Sequence, residues 1–139
     1  MMREIIFRGK RVDNGEWVYG FYWLDAWSEG KPAHIIDAED YLVEPSTVCQ
    51  YTGLTDENDV KIFEGDIVKF KHGGEFDKNG VYFRNYVVEF INTFVTYGLR
   101  LRNKNINFPF KQATASTHNA VVVGNIHDNP ELLEEDQHG

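Results

Sequence analysis

The chain has 139 residues, 42% of them apolar and 14% aromatic, and a formal net charge of −8. It is long enough to bury a core without metals or disulfides, too apolar for a disordered chain, and too acidic for non-specific attachment to nucleic acid or anionic membrane. No apolar run approaches the ~18 residues of a membrane span, the start MMREIIFRGK lacks the apolar stretch of a signal peptide, and the single cysteine, Cys49, excludes an internal disulfide and suits a reducing cytoplasm.

Arg3 to Arg8 carry Ile5 and Phe7 at alternating positions and read as an opening strand. Asp13-Asn14-Gly15 is a turn signal, because Asn and Gly tolerate the positive φ of tight hairpins. Glu16 to Trp23 follows as a second strand, with Trp17, Tyr19, Phe21 and Trp23 on one face and Val18, Gly20 and Tyr22 on the other. Such an aromatic row is either a ligand-stacking platform or one wall of a core. The large area these rings bury favours the wall.

Leu24 to Lys31 reads as a loop, Ala33 to Ile36 as a short returning strand, Asp37 to Asp40 as an acidic turn and Pro45-Ser46-Thr47 as a one-turn corner. His34 has no matching histidine or carboxylate in the sequence pattern and reads as structural. The central stretch Thr47 to Phe70 contains apolar runs at Val48–Leu54, Val60–Phe63 and Ile67–Phe70, joined by the turns Asp56–Asp59 and Glu64–Asp66. It reads as a nucleus of antiparallel β-structure, with Val68 and Phe70 on one face and Ile67 and Lys69 on the other. Cys49, alone in an apolar run, reads as buried packing rather than a nucleophile.

Lys71 to Gly80 reads as a hairpin loop. Its Gly73-Gly74 pair lacks the further glycines and the Lys-Ser/Thr of a phosphate loop. Val81–Phe90 and Phe94–Leu101 read as strands, with Asn92-Thr93 as the turn or bulge between them. Asn105 to Ser116 has no clean period, and Ala120 to Ile126 reads as a buried strand. Asn129, Pro130 and Glu131 suit the N-cap, first turn and positive dipole end of a short helix that docks Leu132 and Leu133 on the sheet, ahead of a frayed tail. The expected fold is mainly β: a small, partly open, SH3-like barrel around residues 50–70 and 81–126, with extra hairpins and a short C-terminal helix, all in one domain. The alternative is an α+β arrangement in which Asn105 to Ser116 is helical.

Charge is unevenly distributed. His34 to Asp66 holds nine carboxylates against Lys61, whereas Ile67 to Lys111 holds eight lysines and arginines against Glu75, Asp77 and Glu89. Solvated surfaces explain this most simply, and complementary patches between copies, favouring a homo-oligomer, explain it otherwise. Arg100, Arg102 and Lys104 recur at every second position and would form a basic stripe on a strand, close to Phe94 and Tyr97. They are the candidate nucleic-acid or partner contacts. The sequence has no HExxH, no paired Cys/His spacing, no GxSxG and no dinucleotide fingerprint, and its five histidines are scattered. No catalytic, metal or cofactor site is therefore expected.

Three blocks, IIFRGKRVDNGEWVYG (Ile5–Gly20), QYTGLTDENDVKIFEGDIVKF (Gln50–Phe70) and VVVGNIHDNPELLE (Val121–Glu134), resemble the signature blocks of the YopX family of phage and prophage proteins, in that family's order and spacing. Two departures are Cys49, where the family usually has Gly, and Asn58-Asp59 in place of an Asn-Gly turn. Asp tolerates the left-handed turn less well than Gly, which points to a different turn type there. The resemblance implies a phage or prophage origin and expression in a bacterial cytoplasm. It supplies no biochemical activity and no catalytic residues. The expected role is a non-catalytic accessory module that binds protein, either host or self. The rivals are nucleic-acid binding through the basic stripe and an acidic decoy of a host DNA-binding protein.

Overall fold

The computed structural model describes residues 4–74, 78–91, 96–100, 107–109 and 119–135, and within them the chain is mainly β with one short helix. The elements in order are β1 (Phe7–Lys10), β2 (Trp17–Leu24), β3 (Ala33–Asp37), β4 (Glu39–Val43), a one-turn 3-10 helix (Pro45–Thr47), β5 (Cys49–Thr55), β6 (Lys61–Phe63), β7 (Asp66–His72), β8 (Tyr82–Ile91), β9 (Thr96–Arg100), β10 (Asn107–Pro109), β11 (Ala120–Asn125) and α1 (Glu131–Glu135). They form two sheets, ordered β4-β3-β2-β1-β5-β6 and β10-β9-β8-β7-β11, antiparallel throughout their registered pairs. The chain divides into two compact units at Gly53/Leu54.

In the first unit the sheet curls strongly. β4 pairs with β3 along its length, and its end also returns to the end of β1: Arg11 bridges Val43, the Val12 N–H donates to the Leu42 carbonyl (3.0 Å) and the Glu44 N–H to the Lys10 carbonyl (2.8 Å). Closure goes no further, so the expected partly open barrel is realised as a curled sheet rather than a closed one, and it lies in residues 7–50 rather than 50–126. Thr47 ties down the corner. Its Oγ1 accepts from the Lys10 N–H (2.9 Å) and donates to the Glu44 carbonyl (2.6 Å). Cys49 is buried and donates to the Thr47 carbonyl, as a packing residue does.

The inside of the curl is lined by Ala33, Ile35 and Val43, with Phe7, Val18, Tyr41 and Val48 packed against them. Space there is scarce. A Cβ at Gly9 would lie 3.0 Å from Val43 Cγ2, and one at Gly20 would run into the carbonyl of Ile36. Glycine at these two positions lets Val43 and the β3 backbone approach the sheet closely. The bulky row Trp17, Tyr19, Phe21 and Trp23 takes the opposite face. The expectation that this row forms a core wall is overturned: all but Trp17 are exposed.

The second unit builds its core on β7 and β8. Val68, Phe70, Tyr86, Val88, Ile62 and Ala120 form one buried cluster, and Ile67, Val87 and Leu133 another on the opposite face, as the alternation of β7 requires. The Asp56 carboxylate is buried and shapes the β5–β6 turn. Its Oδ1 accepts from the N–H groups of Asn58 (2.8 Å) and Val60 (3.0 Å), while Oδ2 accepts from Val122 on the outer side of β11 (2.8 Å). Glu57 N–H adds a bond to the Ala120 carbonyl (3.0 Å). Asp66, also buried, accepts from the Phe63 N–H (2.8 Å). These acids are structural, as their turn positions suggest.

Asp59 adopts the left-handed conformation (φ 62°) that Gly would adopt more cheaply, so the turn carries backbone strain at this residue. Asn129 precedes α1, but its side-chain oxygen accepts from the Asn125 N–H (3.3 Å) and packs within 2.5 Å of where a Cβ on Gly124 would stand. Its side chain thus supports the irregularity between Val122 and Gly124, while its carbonyl accepts the Leu132 N–H (3.1 Å) at the start of the helix. Asn107–Pro109 is a strand, against the helical alternative at those positions; the rest of 105–116 lies outside the described residues.

Candidate interaction face

The outward face of the first sheet is assembled by register. The turn after β1 is closed by Arg11 N–H to the Glu16 carbonyl and Gly15 N–H to the Arg11 carbonyl (both 2.9 Å), with Gly15 at φ 73°. It sets Lys10 opposite Trp17 and Arg8 opposite Tyr19. β3 and β4 then place His34 opposite Trp23, Ile36 opposite Phe21, Leu42 opposite His34 and Asp40 opposite Ile36. Alternation puts Arg8, Lys10, Trp17, Tyr19, Phe21, Trp23, His34, Ile36, Asp40 and Leu42 on one side. Tyr19 is 46% exposed, Phe21 71%, Trp23 47%, Ile36 37% and Leu42 46%.

Cations already sit on rings here. The Arg8 guanidinium lies 4.6 Å from the Trp17 ring and the Lys10 ammonium 5.4 Å, within cation–π range. At the other end His34 stacks obliquely on Trp23 (4.7 Å) and its Nδ1 meets Asp40 Oδ1 at 2.7 Å. The carboxylate partner that the sequence pattern did not offer His34 is thus supplied by the β3–β4 hairpin. Among the described residues, no group of three or more His, Cys, Asp or Glu is placed to hold a metal.

The β2–β3 loop carries a further exposed ring. Asp25 accepts from the N–H groups of Trp27 (3.3 Å) and Ser28 (3.2 Å) and from the Ser28 hydroxyl, which holds its carboxyl below the ordinary range. Gly30 (φ 78°) and Lys31 (φ 47°) turn the chain back, and the Asp25 N–H donates to the Pro32 carbonyl (2.9 Å). On this internally bonded loop Trp27 is 99% exposed. From Arg8 to Glu44 the chain carries the carboxylates Asp13, Glu16, Asp25, Glu29, Asp37, Glu39, Asp40 and Glu44 against Arg8, Lys10, Arg11 and Lys31, with Arg11 paired to Asp13 at 2.6 Å.

Of the contacts expected from sequence, Arg100 lies on β9, its backbone paired with Val87 and with Asn107. Arg102 and Lys104 lie outside the described residues, as does the proposed turn at Asn92-Thr93; of the tail expected from Glu134 to Gly139, Glu134 and Glu135 belong instead to α1 and the rest lies outside. The aromatic row, weighed from sequence as a stacking platform and read instead as a core wall, is exposed beyond Trp17. Its signal was Gly20, which takes the side where the Ile36 carbonyl leaves no room for a Cβ and so places Trp17, Tyr19, Phe21 and Trp23 on the other.

A mainly β chain of two antiparallel sheets, one curled with its rings outward, defines an architectural class rather than a chemistry. The family model described as YopX protein matches residues 6–134, and the chain belongs to that family. Among solved structures it is similar to the crystal structure of protein EF1440 from Enterococcus faecalis, at 18% identity and a TM-score of 0.55, over 95% of this chain and 99% of that one. That likeness is one of fold. A search of curated proteins found no match.

Proposed function

We propose that the protein is a non-catalytic interaction module that docks another protein on the outward aromatic face of its first sheet. The observation that carries this reading is the cluster of Tyr19, Phe21, Trp23, Ile36 and Leu42, exposed together on one strand-registered face. Together they expose on the order of 500 Å² of mainly apolar surface, the size of the largest patch on a typical monomer, which is often the functional one. Tyr and Trp are also the residues that dominate binding energy at protein interfaces. The family resemblance supports placing this module in a phage or prophage and its activity in the host cytoplasm.

Site-directed photocrosslinking in the bacterial host tests this. A benzophenone amino acid at position 21 should trap a discrete protein adduct, and the same probe at the exposed Phe83 of the second unit should not. Equal yields at both positions, or none at 21, would remove the reading.

A further inference from the structure

We infer that the β5–β6 turn is an autoinhibitory latch: it occupies the outer edge of β11, and once it lets go that edge pairs with the β11 edge of a second copy. The device lies wholly in the second unit and does not depend on the aromatic face of the first. Three observations carry it. First, β11 is the last strand of its sheet, with β7 on one flank. Its sequence, Ala120-Val121-Val122-Val123-Gly124-Asn125, has no charge and no proline, so it carries neither of the side-chain devices that keep an edge strand from pairing with another chain. The register shift between Val122 and Gly124 interrupts only its far end.

Second, the turn meets the outward backbone groups of this strand. The Val122 N–H donates to Asp56 Oδ2 (2.8 Å), and the Ala120 carbonyl accepts from the Glu57 N–H (3.0 Å). A neighbouring antiparallel strand would engage the same two groups, since paired outward residues exchange an N–H and a C=O. Two β11 edges are therefore complementary to each other. Across a two-fold axis at Val121, Ala120 of each copy stands opposite Val122 of the other, and the exchanged hydrogen bonds replace those from the turn. Third, the latch is held at a cost. The Asp56 carboxylate is buried, and Asp59 in the same turn sits at φ 62°, in the left-handed region that a side chain disfavours.

Light scattering of the full chain over a concentration series tests the latch, with Asp56→Asn as the opening variant. Asparagine keeps the shape and an oxygen for the turn, but turns an amide N–H toward the Val122 N–H, donor against donor. The dimer dissociation constant should fall at least tenfold below that of wild type. Amide exchange at Val122 should quicken in the dilute monomer and slow again as the dimer forms. Asp56→Asn/Val122→Pro should return to within twofold of wild type, because proline removes an N–H that points away from β7. Gly20→Ala, which strains the first unit instead, should also stay within twofold. Circular dichroism melts establish that each variant is folded. Glu57→Pro is a second opening variant: it removes the donor to Ala120 at the second position of a turn closed by Asp59 N–H to the Asp56 carbonyl (3.1 Å), where proline is accepted. It should lower the dissociation constant at least threefold.

Folded opening variants that keep the wild-type dissociation constant would overturn the inference. So would association that survives Val122→Pro, since it would not run through the β11 edge, or equal association by Gly20→Ala, which would trace it to general destabilisation. A wild type whose Val122 amide already exchanges as fast as in Asp56→Asn would show that the turn does not close the edge, and would overturn it as well.

Discussion

Phe70 and Tyr86 of the second sheet are buried, meeting edge to face at 6.3 Å, while Tyr19, Phe21 and Trp23 of the first sheet stand in solvent. Both sets sit on antiparallel strands with alternating side chains, so strand propensity does not separate them. Curvature does. The first sheet bends until β4 meets the end of β1, and its concave side, which also takes Phe7 and Tyr41, leaves no room for a side chain at Gly9 or Gly20. The five strands of the second sheet make no such return among the described residues, and a core of rings and branched side chains fits between β7, β8, β11 and Ile62. Aromatic density on a strand therefore identifies a packing surface only when the sheet's bend is known.

The contrast can be broken at either sheet. Asp56→Ala removes a buried acceptor from three N–H groups of the second unit and should cost about 3 kcal/mol in urea unfolding, the upper range for one lost buried polar partner with several bonds. Gly20→Ala forces a methyl group against the Ile36 carbonyl and should cost about 2 kcal/mol through overpacking of the curl. The corresponding change on the convex side, Phe21→Ser, should alter stability by less than about 0.5 kcal/mol, because an exposed ring contributes little to folding. If Phe21→Ser were as damaging as Gly20→Ala, the assignment of faces would be wrong.

Each unit also contains a left-handed residue that is not glycine, Ala38 (φ 61°) in the β3–β4 turn and Asp59 (φ 62°) in the β5–β6 turn. Ala38→Gly and Asp59→Gly should each stabilise by about 1 kcal/mol in the same unfolding assay, since both relieve a Cβ–backbone clash. The smallest effect belongs to Glu64. Its half-buried carboxyl is pushed up from the ordinary value of 4.5, first by burial and then by the charge of Glu89. A raised native pKa means that the fold binds the proton more tightly than the unfolded chain does. The stability this confers is complete below the ordinary value and is lost as pH rises through the raised one. Glu64→Gln should therefore melt slightly above wild type at neutral pH, by about 0.3 kcal/mol, and the gap should close in acid.

Much of the fold was legible because local rules decide it. The turn at Asp13–Gly15, the Pro45 corner, the strands at 49–55, 66–72 and 120–125, and the two faces of β7 follow from turn chemistry and alternation. Location of the curl was not legible, because it depends on Val43 meeting Arg11, 32 positions apart in the chain, and no local pattern encodes that bridge. The side-chain contact of Asn129 was not legible for a related reason. Its sequence position suits a cap, but the gap beside Gly124 draws its side chain toward β11. The pairing of His34 with Asp40 likewise exists only once a hairpin brings i and i+6 together.

The bond from Val122 to Asp56 joins residues 66 positions apart, and Glu57 reaches Ala120 over a similar span. Such a contact can form only after the long intervening hairpins have been made, which places it late in folding. Until β11 arrives, one flank of β7 presents a row of unclaimed amides and carbonyls, a template for a strand from any neighbouring chain. Asp56 and Glu57 then engage the far side of β11 itself. During synthesis, the interval between the appearance of β7 and the seating of β11 is thus the period in which this protein is most exposed to mispairing with its neighbours.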